Sequence, residues 1–154
     1  MRGRGYFMSQ NINCRTAAFI IKNSKLLFAK NINSPYYYLV GGGIEDNESS
    51  QEAVVCEIFE ETGLKLELDR LAIIQERFHR VDGQKHHEIR FFYTVKDDVE
   101  ICIEDGTFTD QGMDETLYWF PIDKLNDFNI VPPFLKTLSF DSLDEIKHIV
   151  VKEY

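Results

Sequence analysis

Apolar residues fall into short runs separated by polar turns, and the period within the runs changes along the chain. Thr16 to Lys22 and Lys25 to Lys30, TAAFIIK and KLLFAK, flank Asn23-Ser24 and predict the two strands of a hairpin. Tyr36 to Val40 predicts another strand, which runs into a turn made by Gly41, Gly42 and Gly43. The next segment has helical punctuation. Ser49 and Glu52 form a capping-box signature, and Gly63 is placed to stop the helix in a left-handed turn. Between those marks Val55, Ile58 and Phe59 are expected to pack on a core, with Glu57, Glu60 and Glu61 on the other face.

Beyond the helix, Lys65 to Leu68 and Leu71 to His79 look extended, and His87 to Val95, which contains IRFFYTV, is the strongest strand signal. Leu117 to Phe120 is a shorter strand. Pro121 is placed to open a helix over PIDKLNDF, Pro133 to open a last one reaching about Leu138, and His148 to Val151 closes the chain as a strand. Strands interleaved with few helices predict a layered α/β domain.

Composition narrows this picture. A chain of 154 residues with 44% hydrophobic content fits one domain over 11–154, with 1–10 expected as a flexible segment whose Arg2 and Arg4 either touch phosphate or belong to a disordered tail. No apolar run approaches the roughly 18 residues a membrane helix needs, so no membrane partner is expected. A net charge of −9 argues against polymeric nucleic acid, whose binding relies on Lys and Arg meeting phosphates. Cys14, Cys56 and Cys102 are odd in number and widely spaced, which suits neither a disulfide framework nor a zinc motif and points to the cytoplasm.

The candidate chemistry lies in the predicted helix. Positions i, i+3 and i+4 share a helical face, so Glu57, Glu60 and Glu61 crowd together. Such a cluster repels itself unless protons or a hard cation intervene, and oxygen-only ligands suit Mg²⁺ or Mn²⁺. Glycines beside it allow main-chain groups close to a metal or phosphate.

Gly42, Glu48, Glu57, Ile58, Glu60, Glu61, Gly63 and Leu64 stand at the spacing of the Nudix box, and the chain resembles the Nudix hydrolases of the MutT type. Cys56 stands where the box has arginine, and Val40 where many relatives have proline. The resemblance implies an α/β/α sandwich with a mixed central sheet. It also implies a divalent-metal-dependent pyrophosphohydrolase acting on a nucleoside diphosphate linked to another moiety, such as a nucleoside triphosphate, ADP-ribose or a nucleotide sugar. Glu60, Glu61 and the Gly42 carbonyl are the implied metal ligands, and Glu57 is either a further ligand or the general base. Because a thiol cannot reproduce the bidentate bonds of arginine, the alternative is a weakened domain that binds a nucleotide as a sensor or partner.

Outside the box two acids are candidates. Glu115 is either a solvated loop acid beside Asp110 and Asp114 or, as the resemblance implies, a further metal ligand. Glu88 is a strand acid flanked by core residues that would reach the site if it faced it. His79, His86, His87 and His148 show no metal spacing. Trp119, Phe120, Tyr37 and Tyr38 are read as core or as a stacking surface for a base. The loops Asn31 to Tyr36, Val81 to Lys85 and Gly106 to Asp114 are the expected seat of specificity, and a homodimer is left open.

Overall fold

Four successive residues of the first strand region and four of the second are almost wholly shielded from solvent: Ala17, Ala18, Phe19 and Ile20, then Leu26, Leu27, Phe28 and Ala29. Side chains of a strand alternate between faces, so a continuous buried run means that both faces are covered. In the computed structural model, which describes residues 12–109 and 112–154, Ala17, Phe19, Leu26 and Phe28 belong to one core cluster. Ala18, Ile20, Leu27 and Ala29 belong to a second. The first is capped by Leu125, Leu135 and Phe140 from short 3-10 helices, the second by Val54 and Ile58 of an α-helix, the one such helix among the described residues. This is the α/β/α sandwich in its simplest form. The segment 1–10 lies outside the described residues, as do Asp110 and Gln111 of one candidate loop.

The strands are β1 (Asn13–Phe19), β2 (Ile21–Lys22), β3 (Lys25–Asn31), β4 (Tyr37–Leu39) and β5 (Gly41–Gly43), with α1 (Ser50–Thr62) next. After it come β6 (Leu68–Val81), β7 (Gln84–Val95), β8 (Thr107–Phe108), β9 (Glu115–Pro121), β10 (Ile130–Val131) and β11 (Lys147–Lys152). One mixed sheet has the order β11-β6-β7-β1-β5, with β1–β7 and β11–β6 parallel. The other has the order β10-β4-β3-β9-β8, with β2 paired to β3. Among the described residues no helix is long and apolar enough to cross a membrane.

Four expectations need correction. The three glycines are not a turn: they form β5, antiparallel to β1, with Thr16 opposite Gly42 and Ala17 opposite Gly41. Val55 and Phe59 are exposed, whereas Ala53, Val54, Ile58 and Glu61 are buried. At about 100° per residue, positions 54, 58 and 61 form one stripe, and 55 and 59 stand one step round from it. The Pro121 and Pro133 segments are 3-10 turns, Ile122–Asp127 and Pro133–Lys136, because runs this short cannot offset α-helix nucleation. Finally, Val81 to Lys85 is no open loop. Asp82 and Gly83, with φ of 49° and 78°, make a two-residue turn joining β6 and β7 into one long hairpin.

The ends of α1 agree with the sequence. Ser49 Oγ accepts from the Glu52 N–H while Glu52 accepts from the Ser49 N–H, and Gly63 has φ of 73°. Close packing makes two neighbouring glycines of β5 unequal. A Cβ on Gly41 would lie 2.1 Å from the Thr16 carbonyl oxygen and 2.8 Å from the Ala17 Cα, whereas one on Gly43 would meet nothing within 4 Å. Urea denaturation should therefore show Gly41→Ala destabilised by about 2 kcal/mol or more and Gly43→Ala changed by no more than about 0.5 kcal/mol.

Candidate metal and phosphate site

Strand β5 and helix α1 are held face to face from below. Thr16 Oγ1 donates toward the Ser50 carbonyl (3.4 Å) and the Phe91 carbonyl (3.2 Å), and Ser50 Oγ bonds Tyr93 Oη at 2.6 Å. The helix can approach closely because Gly42 has no side chain. A Cβ there would fall 2.4 Å from Glu57 Oε1 and 2.5 Å from its carboxyl carbon. Glu57 thus lies against the backbone of β5, and Gly41 N–H donates to Glu61 Oε2 at 2.9 Å one helical turn on.

The register of the second sheet brings another acid to the same place. Glu115 opens β9 opposite Asn31, and Tyr38 Oη donates to Glu115 Oε2 at 2.5 Å. Asn31, Glu57, Glu60, Glu61, Asp114 and Glu115 line a pocket of about 390 Å³ that contains no lysine or arginine. Glu61 is 5% exposed. Burial first, then the charge of Glu115, hold it far above the ordinary carboxylate range, partly offset by the Gly41 N–H. Burial, then Glu60, raise Glu57, and Arg15 opposes them. Burial and its bond to Glu115 push the Tyr38 phenol up as well. Among the described residues Glu115 Oε1 is buried without a hydrogen-bond partner, beside Glu61. Among the described residues no three acidic, histidine or cysteine groups stand ready-made around one coordination point. The donor chemistry nonetheless fits a hard divalent ion: all-oxygen, acid-rich and with one orphaned buried carboxylate oxygen.

Of the residues singled out in the sequence, Glu57, Glu60, Glu61 and Glu115 meet here. Glu88 does not. It accepts from Arg90 Nη2 at 2.8 Å in a neighbouring cavity of about 730 Å³, whose lining includes Arg15, Gln75, Arg77 and Arg90. Strand pairing supplies those four, and their only local signal is polar residues alternating with apolar ones inside β1, β6 and β7. Asn31 and the Tyr38–Glu115 bond likewise lack any signal of their own. Cys56 is exposed, and its Sγ donates to Glu60 Oε1 at 3.4 Å, with Glu60 chiefly raising the thiol. The histidines lie elsewhere: His79 stacks on His86, His87 on Phe78, and His148 bonds Glu76. Tyr37 and Phe120 pack edge to face in the core, and Trp119 Nε1 donates to the Ile103 carbonyl.

The family profile described as NUDIX domain matches residues 13–139. Solved structures share the fold at low identity. The MutT mutator protein from Bacillus halodurans superposes with a TM-score of 0.68 at 17% identity, covering 92% of this chain and 88% of that one. A NUDIX hydrolase from Nitrosomonas europaea gives 0.63 at 14% identity, with 95% and 82% covered. The ORF135 protein of E. coli gives 0.62 at 20% identity, with 86% and 91% covered. No curated relative matches in sequence.

The burial of Glu61 has a consequence for stability. Its proton is retained in the folded state up to about pH 9, against 4.5 for a free glutamate. Protonated Glu61 therefore contributes stability fully below the lower value, and that contribution is lost as pH rises toward the upper one. Metal-free protein should lose more than about 1.4 kcal/mol between about pH 5 and about pH 8 in urea melts, the equivalent of one pKa unit. Glu61→Gln should flatten the slope; an unchanged slope would assign the proton elsewhere.

Proposed function

Because the chain belongs to the NUDIX family, hydrolases of phosphorus-containing acid anhydrides, we propose that it is a divalent-metal-dependent pyrophosphohydrolase for a nucleoside diphosphate linked to a further group. One observation carries this reading above the rest: two carboxylates, buried Glu61 and half-buried Glu115, face each other in a pocket with no basic side chain. Glu57, Glu60, Glu61, Glu115 and the Gly42 carbonyl would hold Mg²⁺ or Mn²⁺. When bound, such an ion neutralises phosphate oxygens and makes a water more acidic.

The protein's own groups do the rest. Gly41 N–H fixes Glu61, and Tyr38 fixes Glu115, so the acids are oriented before substrate arrives. Glu57, half-buried and raised in basicity, takes the proton of the attacking water. The water oxygen forms a bond to one phosphorus, the bridging P–O bond breaks, and the leaving phosphate departs with the electron pair. Free thiols at Cys14, Cys56 and Cys102 support a cytoplasmic setting.

Cys56 makes this a weaker version of the family's arrangement. A thiol offers Glu60 one long, weak contact in place of a charged fork. The position is exposed beside Glu48, Glu57 and Glu60, so arginine fits there. Cys56→Arg is accordingly expected to raise kcat/KM by about tenfold, the lower end of what lost support of a metal ligand costs.

The decisive experiment is a panel of nucleotide substrates assayed with Mg²⁺ and Mn²⁺, with product analysis locating the broken bond. Glu57→Gln should lower kcat by about a hundredfold while leaving the melting temperature nearly unchanged. Turnover within about threefold of wild type would remove Glu57 as the base. Nucleotide binding without turnover of any substrate would favour a binding module instead.

A further inference from the structure

The edge strand of a sheet presents a row of backbone donors and acceptors that a further strand can complete. Strand β11 is such an edge: it pairs with β6 on one side, and among the described residues nothing pairs with it on the other. The Glu153 N–H donates to the Phe78 carbonyl of β6 at 2.9 Å. Successive residues of a strand turn their backbone groups to opposite sides. Lys147, Ile149, Val151 and Glu153 therefore direct theirs to β6, and His148, Val150 and Lys152 present theirs to the open edge.

The side chains along this edge are arranged symmetrically about Val150. Ile146, Val150 and Tyr154 are 55%, 51% and 49% exposed, and the first and last stand equally far from the middle one. Arg80 and Lys85 hold the Tyr154 ring in place, at 5.2 and 5.0 Å from its centroid. Lys147 and Glu153 are likewise equidistant from Val150. An antiparallel copy of the strand with Val150 opposite Val150 brings Ile146 to Tyr154, Lys147 to Glu153 and Ile149 to Val151, each pair occurring twice. His148 meets Lys152, with Glu76 beside them, 2.8 Å from the His148 ring nitrogen.

Neighbouring registers lose these matches. A shift of one residue sets outward backbone groups against inward ones, so the ladder cannot form. The next shift in either direction puts Lys147 opposite Val151 or Glu153 opposite Ile149, a charge against an aliphatic side chain. Lysines guard many sheet edges against indiscriminate pairing, and these admit one alignment.

We propose that β11 is a homodimer interface, occupied by β11 of a second copy of this chain about a two-fold axis at Val150. The two five-stranded sheets then run on as one. Val151 and Glu153 line the cavity of about 730 Å³ and share the face opposite to Val150, so both cavities open on the same side of the joined sheet. Lys147 of one protomer meets Glu153 at the cavity wall of its partner. Pairing along a single edge lies at the small end of specific interfaces, so the dimer is reversible, with dissociation in about the micromolar range.

Sedimentation of the full chain from about 1 to about 200 μM should show a monomer passing into a dimer as concentration rises. Val150→Asp sets two carboxylates opposite each other and should weaken association more than about tenfold, at an exposed position that folding tolerates. Lys147→Glu and Glu153→Lys should each weaken it, and the two together should return it to within about threefold of wild type. Oxidative cross-linking tests the register in a chain whose exposed thiols, Cys56 and Cys102, are changed to serine. Val150→Cys should form a covalent dimer, since Cα atoms of a hydrogen-bonded antiparallel pair lie about 5.5 Å apart, within disulfide reach. His148→Cys should not, because its two copies lie opposite Lys152 and not each other. A chain that stays monomeric over the whole range overturns the interface. So does a dimer unmoved by Val150→Asp at unchanged melting temperature, or cross-linking as ready from residue 148 as from residue 150.

Discussion

The acid pocket depends on one close approach: a carboxylate pressed against a strand that has no Cβ to keep it away. Glu57 sits where a side chain of residue 42 would be, and that contact sets the spacing between α1 and the sheet. With the helix at that distance, Glu61 falls within reach of the Gly41 N–H, and its carboxylate arrives at Glu115 on the second sheet. Thr16 and the Ser50–Tyr93 bond hold the helix from beneath, and Val54 and Ile58 bury its inner stripe. The acid pocket is thus a product of backbone proximity, and the glutamates alone would not create it.

Desolvation gives the pocket its chemical tension. Carboxylates taken out of water disfavour their charged form, and here Glu61 is buried and Glu57 half-buried beside it. Protons, the phenol of Tyr38 and a backbone amide relieve the strain only in part, which explains why Glu115 Oε1 remains without a donor. The adjoining cavity instead mixes the signs, with Arg15, Arg77 and Arg90 beside Glu61, Glu88, Glu115 and Glu153.

Local physics was legible in the sequence and tertiary register was not. Ser49, Glu52 and Gly63 mark the helix ends because capping is a matter of neighbouring residues. The buried face lies one step round from the one that its apolar residues suggest. Val55 and Phe59 look like core residues, but the sheet lies under Val54 and Ile58, and nothing in the helix itself says so. Glu115 acquires its meaning from Tyr38, which is 77 residues away. Arg15 meets Arg90 only because β1 and β7 run parallel. Proline was a good guide to where elements change and a poor guide to the type of the next element, since the segments after Pro121 and Pro133 are too short for an α-helix.

Strand β1 links the two compartments through its period of two. Thr16 turns toward α1 and steadies the acids, and Arg15, the residue before it, turns toward the cavity floor. Support of the acid pocket and lining of the cavity therefore occupy alternate positions of a single ribbon. A one-residue insertion or deletion inside β1 would exchange its faces, carrying the guanidinium under the helix and the hydroxyl into the cavity. Substitutions within the strand can retune one function at a time, but changes of length cannot, and so sequence drift here should proceed by replacement alone.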